Sequence, residues 1–363
     1  MIRADIAIVG AGMAGASLAA ALADDASVLL LEAEPHPGVH ATGRSAAFWT
    51  ESYGGPGVQP LTTASGPWLA AGGFLRRRGA LHIADAEGEA ALDRFAEAFA
   101  TSGIAMARRD AAALAAAVPG LRPGWRAGVA EPSTADIDVA ALHQHYLAAA
   151  RAAGARLSCG APVRAAARTA GGWRLHAGRE TIAADLLVNA AGAWADGVAR
   201  IAGAAPLGIA PYRRTMLQLR VAPAAPESLP LVLDAAGRFY FKPEHGRLWL
   251  SPHDETPAAP GDAAPEEIDV ALAIDRLQRV VDWRVEAVER KWAGLRSFAP
   301  DRLPVYGFDP RVPGFFWFAG QGGFGIQTAP AAAALGAALL TGRAPGAMIA
   351  ALDPERYAAT RFG

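Results

Sequence analysis

One cysteine, Cys159, stands in a chain of 363 residues, so no internal disulfide and no multi-thiolate metal site can form, and a reducing compartment suits the protein. Charge of one sign is also missing. Thirty-four lysines and arginines oppose 35 aspartates and glutamates, a formal net charge of −1, without the basic surplus that following nucleic-acid phosphates requires. The longest apolar run near the C-terminus, about 329–340, is shorter than the ~20 residues of a membrane span and is interrupted by Pro330 and Gly336. The N-terminus imitates a secretory signal only superficially, because Asp5 breaks its positive region. No G-x-S-x-G elbow occurs, which excludes the usual serine hydrolase arrangement. His40, His82, His143 and His145 have no carboxylate–histidine spacing around them, so they read as structural or surface residues and no metal is expected. What is present is apolar: 52% of residues are hydrophobic and 19% charged, enough to offset chain entropy in one large or two interleaved domains.

The chain opens as a βαβ unit. Ile6 to Val9 is a buried-strand run, Gly10 to Gly15 a glycine turn, the helix runs from Met13 to about Ala23, and a second strand covers Val28 to Leu31. From about 50 to 128 the pattern leaves this unit, with a strand near Ala80–Ala84; a helix over 137–153 and a strand at Leu186 to Val188 resume it. A second excursion, 206–298, alternates apolar and polar residues as an antiparallel sheet does. Two Ala/Pro-rich stretches, 222–231 and 255–265, read as surface loops. Strand, glycine turn and alanine-rich helix close the chain.

The sharpest motif is GAGMAG, with Met13 and Ala14 between its glycines. Gly10 permits the strand-to-helix turn, Gly12 lets a pyrophosphate approach the backbone, and Gly15 allows close helix–strand packing. The helix N-terminus adds partial positive charge. Glu32, twenty residues beyond Gly12 and followed by Ala33, is placed to accept ribose hydroxyls. A purely structural glycine turn is the bland alternative. NAD and FAD share this half of the molecule, and three further segments favour a flavin: Thr42, Gly43, Arg44, Ser45, Ala46 and Ala47; the turn Ala190, Ala191, Gly192 and Trp194; and Gly320, Gly322, Gly323, Phe324, Gly325, Ile326, Gln327 and Thr328 just before a helix, whose positive end suits a reduced flavin. An NAD-dependent dehydrogenase, or a nucleotide-binding protein without turnover, is the rival from another class.

Through ADIAIVGAGMAGAS, GVHATGRSAA, ADIDVAALHQHYL, VNAAGAWAD, WAGLRSF and FFWFAGQGGFGIQT, nearly the whole chain resembles the FAD-dependent D-amino acid oxidases and dehydrogenases, a family that includes glycine and sarcosine oxidases, and most of all its D-arginine dehydrogenase branch. The resemblance implies an α/β fold: a discontinuous Rossmann-like FAD-binding domain at 1–50, 129–205 and 299–363, and a substrate domain on a mixed, largely antiparallel sheet at 51–128 and 206–298. FAD is expected to be non-covalent, with Val163 added to its contacts. Arg296 corresponds to the family's carboxylate-binding arginine, a role that a planar fork of donors suits. Arg214 matches a second pocket arginine, with Arg213 adjacent; Tyr53 and Tyr240 match phenols of the site; Gly323 and Gln327 fall next to the flavin. The implied reaction is oxidation of a D-amino acid to the imino acid, then to a 2-oxo acid and ammonia, with a secondary amine such as sarcosine as the alternative substrate. Oxygen or a quinone would accept the electrons, and the location implied is cytoplasmic, or peripheral to a membrane if a quinone is used. Two departures from the D-arginine pattern, Ala80 in place of a glutamate and Phe48, next to Trp49, in place of a histidine, point to neutral or apolar side chains.

Overall fold

A computed structural model describes residues 1–363. It places the N-terminal strand β1 (Ile2–Val9) between the parallel strands β2 (Val28–Leu31) and Glu180–Asn189, with Phe315–Ala319 parallel on the far side of the latter. β1 starts earlier than its apolar run because Ile2 to Ala4 pair with Ile182 to Ala184. Ala7 and Val9 enter one buried cluster with Trp173 and Trp317, and Ile6 and Ile8 another with Leu18 and Phe318. Both faces of β1 are therefore covered, which explains the missing alternation. Helix α1 (Met13–Leu22) follows the glycine turn, and the C-terminal helix Ala329–Thr341 packs beside it through Gly336, where a Cβ would stand 3.0 Å from Leu18.

The second sheet is mostly antiparallel. Its long central pair, Ala210–Ala222 and Arg284–Phe298, runs from Ala210 opposite Phe298 to Ala222 opposite Arg284, with register shifts at Gln218/Leu219 and Arg220/Val221, and helix Glu267–Val280 buries Val270, Ala273 and Leu277 on its outer face. Strand Ala127–Glu131 belongs to this sheet, between Ala80–Ala84 and Ala107–Asp110. The expected return to the nucleotide domain at residue 129 thus falls inside a strand, and the chain crosses back only after Glu131. Helix Gln59–Ala71, expected in the substrate domain, lies instead on the C-terminal helix, with Ser65 Oγ accepting the Ala331 amide at 3.1 Å. A three-stranded sheet of Phe48–Trp49, Leu75–Arg77 and Ala135–Ile137 joins the two bodies. At this joint Asp136 accepts hydrogen bonds from Arg76, Arg78 and Lys242. No helix is long and apolar enough to cross a membrane.

Candidate active site

A cleft of about 470 Å³ opens above the carboxyl ends of the parallel strands, where ligands of open α/β sheets bind. Its floor is backbone. Gly10 has φ +101°, and a Cβ there would stand 2.5 Å from the Ala190 carbonyl; a Cβ on Gly15 would stand 1.8 Å from the Gly10 carbonyl, so Gly15 serves close packing and is not itself on the wall. Gly12 starts α1 with no side-chain cap, while Thr42 Oγ1 accepts the Met13 amide at 2.9 Å. Glu32 lines the cleft and accepts the amides of Ala11 and Glu34, each at 3.0 Å. Ala14, Ala33, Arg44, Ser45, Val163, Ala190, Ala191, Gly192 and Trp194 also reach the wall, as do Arg296, Gly322, Gly323, Gly325 and Ile326 near the far end.

Other expected cofactor residues act from behind. Gly43 sits over the Gly38 carbonyl, where a Cβ would be 2.7 Å away, and Ala46 packs with Ala80 and Tyr240. Ala47 offers its carbonyl to Lys242 Nζ at 3.1 Å. Gly320 turns the chain at φ +73° away from the wall, Phe324 packs on Val58 and Phe298, and Thr328 is buried with its hydroxyl donating to the Phe324 carbonyl. The stretch 255–265 is more than a surface loop. Gly261 and Ala263 line the cleft, and Arg44 holds the loop through the Ala263 carbonyl at 2.9 Å and the Asp262 carboxylate. His40 lines the cleft, 4.7 Å from Trp194 between ring centres, with Nε2 donating to Glu34 at 2.9 Å. His143 donates to the Ala11 carbonyl at 2.9 Å and so braces the glycine turn from within the core.

At the opposite end, Arg296 and Arg214 point from one face of the central strand pair. Arg214 is opposite Gly294, and Arg296 lies two residues further on the same face, its Nη1 3.0 Å from where a Gly294 Cβ would be. The alternation of a strand sends Arg213 the other way, onto Glu266 and Asp269 of the outer helix. The two pocket arginines differ in one respect. Arg214, 1% exposed, donates to the Asp254 carbonyl at 2.7 Å, Glu255 at 2.9 Å and the Tyr53 phenol at 3.4 Å, and so has an acid partner. Arg296, 7% exposed, has no acid partner, only the Arg44 carbonyl at 3.4 Å. Burial pulls its pKa below the usual arginine value, opposed by the Tyr240 and Tyr53 phenols.

Phe48 meets Tyr53 edge-on at 5.2 Å and Tyr240 at 5.6 Å, and the Tyr53 phenol lies 2.7 Å from where a Gly323 Cβ would be. These rings form an apolar cage beside the arginines; like Arg214 they stand behind the wall of the 470 Å³ cleft, which Arg296 and Gly323 line. Burial raises the Tyr240 pKa, so this phenol stays protonated. Ala80 joins the cage through Tyr240 and Met216. Trp49 does not: it faces the opposite side of its strand, among Met13, Leu69 and Tyr146 in the core. Gln327 does not line the pocket either. Its side chain is buried, donating to the Tyr53 carbonyl at 3.0 Å and to Thr62 at 2.9 Å, and so fixes the Tyr53 loop from behind. Sequence reasoning missed His253, which stands 5.5 Å from Tyr240 with Nδ1 donating to Gly237 at 2.8 Å. Burial pushes its pKa down to about 3. It also missed Glu255 and Arg302; none of the three lies in a recognisable motif.

The model of the family described as "FAD dependent oxidoreductase" matches residues 5–339. Glycine oxidase of Pseudomonas aeruginosa is 30% identical over 183 residues, 50% of this chain and 47% of that protein, so the match spans about half the length of this relative. Human mitochondrial dimethylglycine dehydrogenase is 28% identical over 64% of this chain and 29% of its own length. Among solved structures, glycine oxidase from Geobacillus kaustophilus superposes with a TM-score of 0.85 at 24% identity, covering 99% of both chains, and the L-proline dehydrogenase of P. horikoshii with 0.83 at 20%, covering 98% of both; these share the fold. The backbone floor, the start of α1 at Gly12 and the Glu32 carboxylate fit the adenosine diphosphate half of FAD. The chain belongs to this family of FAD-dependent oxidoreductases, and FAD is its cofactor.

Proposed function

We propose that the protein oxidises the Cα–N bond of a small α-amino acid that carries a neutral side chain, in the D configuration where Cα is chiral. The observation that carries this reading is Arg296, a guanidinium buried at the cleft without an acid to neutralise it. An unpaired buried charge is costly and is kept where a ligand completes it; a bidentate carboxylate is the group whose geometry matches the fork. Tyr53 and Tyr240 add hydroxyls beside that position, and the cage of Phe48, Tyr53 and Tyr240 takes the side chain.

Bound FAD supplies the two-electron acceptor. The chain's own work is placement: Arg296 fixes the carboxylate and so decides which face of Cα is presented, Gly323 leaves room against Tyr53, and the aromatic rings exclude water from the reacting carbon. The substrate loses two electrons and two protons to become an imino acid, and water then gives a 2-oxo acid and ammonia. Non-covalent attachment of the cofactor accords with Cys159, which is exposed and off the cleft wall.

Relatives named glycine oxidase and dimethylglycine dehydrogenase favour a second reading, a glycine-type substrate whose amine is secondary, such as sarcosine. Anaerobic mixing of the yellow protein with D-alanine, D-leucine, glycine and sarcosine tests both readings: bleaching of the flavin absorbance by at least one is the expected result, and the fastest of the four chooses between them. Admission of air then shows whether oxygen restores the colour. A flavin that none of these amines bleaches would overturn the proposal.

A further inference from the structure

We infer that Glu255 is a specificity-determining residue that restricts the site to substrates with one carboxylate, by occupying the second buried arginine, Arg214. The inference rests on the reading of Arg296 as a carboxylate clamp and adds to it the reason why a second guanidinium on the same sheet face does not make the site a dicarboxylate site.

Arg214 and Arg296 project from the same face of adjacent strands, both buried and both beside Tyr53 and Tyr240, with Arg296 on the cleft wall and Arg214 behind it. Two such cations would offer docking for a pair of carboxylates, the arrangement that an amino diacid would use. Of the two, only Arg296 lines the cleft and lacks an acid partner. Arg214 Nη2 donates to Glu255 Oε1 at 2.9 Å, and its Nε is held by the Asp254 carbonyl at 2.7 Å. Asp254 cannot replace Glu255, because its own carboxylate is committed to the amide and hydroxyl of Thr215 at 2.6 and 3.0 Å.

Glu255 is itself anchored from outside. Arg302 Nη2 donates to both of its oxygens, at 2.7 and 2.8 Å. Arg302 in turn has φ +65°, which long side chains seldom adopt, and its guanidinium lies 3.9 Å over the Phe298 ring. Glu255 thus bridges a fully buried arginine and a half-exposed one. A second substrate carboxylate approaching Arg214 meets this anion first, and repulsion of the wrong ligand is the physical means of discrimination.

Titration of the holoenzyme with acetate and with succinate, read by perturbation of the flavin absorbance and so without turnover, tests the inference. In Glu255→Gln the ratio of succinate to acetate affinity is expected to rise tenfold or more over the unmodified protein, with flavin content unchanged. Arg302→Gln, which leaves Glu255 on Arg214, is expected to keep the original ratio. A ratio within twofold of the original in Glu255→Gln, or an equal rise in Arg302→Gln, overturns the role of Glu255 while leaving the carboxylate clamp intact. If neither anion perturbs the flavin and no amine bleaches it, the clamp fails and the inference falls with it.

Discussion

Glu32 at the end of β2 accepts the amide hydrogen of Ala11, inside the glycine turn, at 3.0 Å. The acidic strand end and the turn are therefore one mechanical unit: the carboxylate that would receive the adenosine ribose of FAD also holds the loop that would cradle its pyrophosphate. Glu32→Ala removes a charge-assisted hydrogen bond worth about 1.5–3 kcal/mol along with the ribose acceptor. Its dissociation constant for FAD is expected to rise at least tenfold, measured by titrating the deflavinated protein. Unchanged affinity would mean that the glycine turn binds the cofactor unaided.

The cofactor half was readable because its constraints are local. Gly10, Gly12 and Gly15 are spaced by the turn itself, and strand β2 and its acidic end follow directly. The substrate half depends on pairings across large sequence separations. That Arg214, and not Arg213, shares a face with Arg296 follows from its register opposite Gly294, which no local pattern encodes, although strand alternation alone requires Arg213 and Arg214 to face apart. Trp49 looked like a pocket residue beside Phe48, but the same alternation in a two-residue strand sends it into the core. Gln327 turns its amide to Thr62 and the Tyr53 carbonyl, an orientation that sequence alone does not distinguish from one facing a cleft.

Arg296→Met should leave the fold and the bound flavin intact while lowering kcat/KM for the best amine by about two to three orders of magnitude, because losing one partner of a buried charge pair costs roughly 2–5 kcal/mol. Removing an unpartnered cation from a buried site also relieves its desolvation, so the melting temperature is expected to hold or rise. Steady-state kinetics and the ratio of flavin to protein absorbance check both statements. Loss of flavin together with activity would reassign Arg296 to cofactor binding.

His253 and His143 are both held below the usual histidine pKa, each chiefly by burial, His253 at about 3. The unfolded chain takes up a proton on each near pH 6.5, whereas the folded protein does not, so below that pH the unfolded state binds more protons and stability falls as the medium becomes more acidic. The slope contributed by one such group reaches at most about 1.4 kcal/mol per pH unit. Above pH 7 the contribution is complete and flat. The melting temperature should therefore decline between pH 6.5 and 4.5, and His253→Gln should flatten that decline; an identical slope in the variant would show that His253 titrates normally.

Side-chain preference follows from what surrounds Ala80. Residues 76–84 supply no acid, but the register places Glu131 directly opposite Ala80 on the neighbouring strand, so a carboxylate does stand beside the cage after all. It is 0% exposed and already engaged: Ser52 donates its amide at 3.2 Å and its hydroxyl at 2.5 Å, and His82 lies 3.4 Å away. A guanidinium entering toward Glu131 would have to break the Ser52 bonds, each about 1.5–3 kcal/mol as charge-assisted hydrogen bonds, and disturb the adjoining Tyr53. An alkyl or aryl side chain asks for none of this and packs on Phe48 and Tyr240. Accordingly, kcat/KM for D-alanine, D-leucine and D-phenylalanine is expected to exceed that for D-arginine by tenfold or more. Should D-arginine prove the best of the four, Glu131 must be free to pair with it, and Ser52 must release the carboxylate when substrate binds.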